Sequence, residues 1–87
     1  MLGIIQEGSL ALTGANDSFN TTTVGFQIWV GSGSTANNAS GIRVGVTTPQ
    51  LYIDPYDLKG VTIPESNPSR LVAKGTAGDI LRFAVFG

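Results

Sequence analysis

The chain contains no cysteine and no histidine. Without thiols there is no disulfide to staple a short domain and no thiolate metal site. Without imidazole, the commonest zinc ligand and the commonest general base are missing too. A Ser or Thr nucleophile would need lysine as its base, and neither Lys59 nor Lys74 sits in the apolar context such a base requires. The chain therefore reads as non-catalytic, with no cofactor and no metal.

Charge is scarce as well. Charged residues make up 13% of the chain, against roughly 25% for an ordinary soluble domain. The net charge is −1, and the five basic residues, Arg43, Lys59, Arg70, Lys74 and Arg82, are scattered along the sequence. Neutralising a phosphate backbone needs several cations on one surface, so nucleic acid is not expected as a partner. No apolar run approaches the roughly 20 residues of a membrane helix, and the start lacks the basic and long apolar regions of a signal peptide. The chain is expected to act from the cytosol, without a membrane.

What is present is alternation. Val24, Phe26, Ile28 and Val30 share one parity, and after the soft segment Gly31 to Gly41 so do Ile42, Val44 and Val46. This is the period-2 signature of half-buried strands. The segment between them has no charge, thiol or aromatic ring, so it is a candidate contact or flexible tip and not an active site. It lacks the lysine of a phosphate-binding loop and leads into a strand instead of a helix. Trp29 falls on the face away from Phe26 and Ile28, which makes it a candidate partner contact.

Turn composition divides the rest. Leu2 to Gln6 and Ser9 to Thr13 are short apolar runs, with Glu7-Gly8 reading as a tight turn between them. Residues 1–7 offer a possible bridging arm carrying Leu2, Ile4 and Ile5. Arg70 to Lys74 and Asp79 to Phe86 read as a hairpin joined by Gly75-Thr76-Ala77-Gly78. In it Arg70, Arg82 and Asp79 offer a cross-strand or intersubunit ion pair. The last strand is apolar on both faces, so it is either central or turned toward a partner through Phe83, Val85 and Phe86.

No stretch has a sustained 3.6-residue period, which excludes a long helix. Seven or eight short antiparallel strands at turn spacings predict a single all-β domain over residues 1–87, a small sandwich or barrel.

Other candidate sites have plainer readings beside them. Asp54 and Asp57, near Tyr52 and Tyr56, read as a cap and a turn rather than a carboxylate site. Asn16-Asp17-Ser18 with Asn20 lacks the dense acidic spacing of a calcium loop. The sequons at Asn20 and Asn38 are incidental without secretion. Trp29, Tyr52 and Tyr56 pack in a core or interface, or else form a platform for carbohydrate.

Leu51-Tyr52-Ile53-Asp54-Pro55, Val61-Thr62-Ile63-Pro64 and Lys74-Gly75-Thr76-Ala77-Gly78-Asp79-Ile80-Leu81-Arg82-Phe83 resemble the ends of small all-β virion proteins of tailed bacteriophages. The resemblance covers about a third of the chain and is carried by general hairpin chemistry. It implies a structural component of the virion, a head decoration or cement protein, or a small tail protein. Such a protein acts as a homo-oligomer, often a homotrimer, on a major capsid or other virion protein. A low-charge β domain that buries apolar surface against copies of itself fits that implication. The other reading kept open is a carbohydrate- or receptor-binding module of a tail appendage.

Overall fold

The computed structural model describes residues 3–33, 41–46, 48–49, 51–53 and 59–87. Leu2, residues 34–40 of the soft segment and residues 54–58, with Asp54, Tyr56 and Asp57, lie outside the described residues.

Eight strands are described: β1 (Ile4–Ala11), β2 (Asp17–Ser18), β3 (Gln27–Ser32), β4 (Ile42–Val46), β5 (Leu51–Ile53), β6 (Val61–Ile63), β7 (Leu71–Lys74) and β8 (Ile80–Phe86). They form two antiparallel sheets of four, in the orders β1-β8-β3-β6 and β2-β7-β4-β5. A single 3-10 turn, Pro68–Arg70, is the one helical piece among the described residues. The fold is a small all-β sandwich, as the alternation and turn spacing predict.

The core lies between the sheets. Ile28 and Val30 of β3, Leu81, Phe83 and Val85 of β8, Ile42 and Val44 of β4, and Leu71 and Ala73 of β7 are all buried. Each set keeps one parity, so each strand turns one face inward. Leu10, Leu12 and Phe19 close the side of the core, where the Phe19 ring meets Phe83 edge-on at 5.2 Å. Full burial of each such side chain contributes roughly 1.5–3 kcal/mol.

The connections differ from those expected. β7 pairs with β2 and β4, whereas β8 pairs with β1 and β3. The Gly75–Gly78 segment is therefore a crossover between sheets and not a hairpin turn. It is clipped to the end of β1 instead: Leu12 N–H donates to the Asp79 carbonyl at 2.9 Å, and Gly78 N–H to the Leu12 carbonyl at 3.0 Å. The same crossing separates β3 from β4, so the soft segment joins two sheets. The ion pair expected across the hairpin is absent among the described residues. Arg70 instead approaches Glu65 at 3.6 Å, Asp79 is fully buried, and Arg82 is exposed.

Glu7-Gly8 is not a turn. β1 runs through it without a break, with Glu7 opposite Ala84 and Gly8 opposite Phe83. A Cβ on Gly8 would come within 2.9 Å of the Phe83 ring, so this glycine marks a close approach inside a strand. Residues 4–7 are accordingly the first half of a paired strand and not a free arm. A register shift between Ile4 and Gln6 makes Ile5 the extra residue of a bulge.

Candidate interaction surface

Register decides which residues face outward. On the first sheet the outward set includes Ile4, Glu7 and Ser9 of β1, Arg82, Ala84 and Phe86 of β8, Gln27 and Trp29 of β3, and Thr62 of β6. Ile4, Glu7, Ser9, Trp29, Arg82 and Phe86 line an open depression of about 600 Å³ on this face. Trp29 is half-buried in it. Its ring lies against Gly31 and Gly60, where a Cβ would approach to 2.7 Å, and its indole N–H donates to the Lys59 carbonyl at 2.7 Å. Gly60 adopts φ +68, a conformation that suits glycine.

The depression opens onto an apolar end of the sandwich. Ile4 stands opposite Phe86, and the Ile5 side chain reaches the backbone of Gly87. Phe26 N–H donates to the Phe86 carbonyl at 2.6 Å, and Gly3 and Gly87 exchange backbone hydrogen bonds at 3.0 and 3.2 Å. The strand start, the segment before β3 and the end of β8 thus meet at one place. There the exposures are 57% for Ile4, 48% for Ile5, 57% for Val24 and 70% for Phe26. Exposed apolar side chains gathered near one end are a candidate interaction site.

The structure brings together some of the residues expected as contacts. Ile4, Ile5 and Phe86 come together, with Trp29 on the adjoining face. Phe83 and Val85 are core residues, 2% and 0% exposed, although Phe83 borders the depression where β8 passes beneath it. Their parity on β8 turns them inward, and β8 lies between β1 and β3, so the apolar character of its two faces reflects a central strand. Leu2 lies outside the described residues. Val24 and Phe26, expected on the core face with Ile28 and Val30, are exposed because β3 begins only at Gln27. Gly25 carried the signal, since its backbone packs directly on that of Phe86 with no room for a side chain.

The other aromatic candidate stands elsewhere. Tyr52 lies in the second sheet, where the Arg43 guanidinium sits 5.1 Å from its ring centroid. Trp29 and Tyr52 therefore occupy the outer faces of different sheets and do not share one platform. Tyr56 lies outside the described residues. In the β1–β2 turn, the Asp17 carboxylate accepts from Thr13 N–H at 2.9 Å and Thr13 hydroxyl at 2.8 Å, and the Asn20 amide donates to the Ser9 carbonyl at 3.1 Å. These groups brace the chain locally.

No family model, curated protein or solved structure matches the chain. Its surfaces alone carry the functional argument. They show an apolar end beside an open depression.

Proposed function

We propose that the chain is a non-catalytic virion structural protein. In this reading it is an oligomeric capsid decoration or cement protein of a tailed bacteriophage, a homotrimer that clamps major capsid subunits. The observation that carries the reading is the exposed apolar end built from Ile4, Ile5, Val24 and Phe26 beside Phe86. A domain with so few charges gains stability by covering such a surface, and copies of itself supply a self-matching cover. Beside it β1 is an edge strand of eight residues, a form that accepts an added strand. The resemblance of the C-terminal third to small virion proteins supplies the biological setting.

Native mass spectrometry and size-exclusion chromatography with light scattering test the oligomer. The expected result is a stable trimer that Ile4→Ser with Phe26→Ser converts to a folded monomer. A wild-type monomer at high micromolar concentration overturns the proposal. Cosedimentation with capsids of the virus's own major capsid protein tests the clamp, with saturable, stoichiometric binding expected and no binding counting against it. A glycan array addresses the competing tail-module reading: saturable sugar binding lost in Trp29→Ala would replace the cement assignment.

A further inference from the structure

The outer face of the second sheet has a different chemistry. Arg43 of β4 and Lys74 of β7 are direct partners in the ladder, both exposed, so two residues far apart in sequence become a cross-strand pair of like charge. Like charges directly opposite each other are destabilising. No ion pair to either is found among the described residues. The sole carboxylate on the described strands of this sheet, Asp17, is engaged by Thr13.

The pair borders an open depression of about 590 Å³, which Asn16, Thr48 and Thr76 also line. These side chains add hydroxyl and amide donors around the two cations. Gly41 and Gly75 also line it, and both mark close packing beside the charges: a Cβ on Gly75 would meet Leu12 and Ile42. Gly41 is fixed in that role: at φ +74 it suits glycine, and a Cβ would run into the Tyr52 ring. The same ring carries the Arg43 guanidinium at 5.1 Å, which holds the planar donor fork in position. A fork, a point charge and neighbouring hydroxyls together match a tetrahedral oxyanion.

We propose that Arg43 and Lys74, with Thr48, Thr76 and Asn16, form a binding site for a phosphate group, free or esterified. The site is independent of the apolar end, which lies on the other sheet. The repulsion between the two cations becomes an attraction shared by one dianion.

Titration of the 15N-labelled chain with inorganic phosphate, followed by heteronuclear NMR at constant ionic strength, tests the proposal. Saturable shifts are expected at the amides of Thr48, Lys74 and Thr76 and at Arg43 Nε, with affinity on the order of millimolar for so open a site. Arg43→Gln should weaken binding about tenfold, as loss of a charge-assisted hydrogen bond does. Lys74→Gln should weaken it too, while raising the melting temperature in phosphate-free buffer because the like-charge contact is gone. Glycerol phosphate in a parallel titration separates the sources: tighter binding than inorganic phosphate assigns an ester, weaker binding the free ion, and either supports the site. Shifts of equal size with acetate or chloride, or shifts unchanged in Arg43→Gln, overturn it.

Discussion

The two faces of the first sheet are built from the same strands, and both carry large apolar residues, yet only one of them is sealed. Leu81, Phe83 and Val85 alternate with Arg82, Ala84 and Phe86 along β8. The inward set is sealed by the second sheet, whereas the outward set is left on a depression beside exposed Ile4 and Phe26. Apolar character by itself does not separate a core residue from a contact residue. Parity relative to the opposing sheet does, and parity is a property of the pairing.

The largest effect expected tests the sealed side. Phe83→Ala removes a ring that fills the core against Phe19 and Gly8, and should cost about 3–5 kcal/mol in urea unfolding. A loss below 1 kcal/mol, with association impaired instead, would return Phe83 to the contact surface. Gly8→Ala probes the same packing from the other strand. Its new methyl meets the Phe83 ring, so a loss of about 1–3 kcal/mol from overpacking is expected in the same assay.

How much was legible follows from where each signal lives. The alternation in Ile28–Val30 and Ile42–Val44 is local, so strands and fold class could be read directly. Sheet membership is not local: Gly75–Gly78 has hairpin composition, yet it crosses between sheets because its backbone finds partners at Leu12 instead of across a turn. A similar ambiguity hid Gly8, since glycine marks both tight turns and close approaches in strands. For Phe83 and Val85 the sequence left a central strand and a partner face both open, because burial on one face of β8 depends on a sheet built from distant segments. The pairing of Arg43 with Lys74 likewise has no sequence signature, because it arises only when β4 lies beside β7.

On the outer face the expected effects shrink, and they separate stability from association. Trp29→Phe keeps a ring over Gly31 and Gly60 but deletes the donor to the Lys59 carbonyl. A loss of about 1 kcal/mol is expected by thermal or urea unfolding, with the proposed oligomer retained. If the oligomer dissociates instead, the indole N–H serves the interface, and the line between the two faces must be redrawn.

The smallest effect on folding is expected at Phe26. Its side chain is 70% exposed and outside the ladder of β3, so Phe26→Ser should change the stability of the isolated subunit by less than about 0.5 kcal/mol. Association should nevertheless weaken, because this ring is the most exposed large apolar group of the patch. The informative measurement compares unfolding at low concentration, where subunits are separate, with unfolding at high concentration. Wild type should gain stability with concentration and the variant should not, since partner binding stabilises the folded state by mass action. If both proteins unfold identically at every concentration, the apolar end is not covered by copies of this chain, and the homotrimer proposal falls.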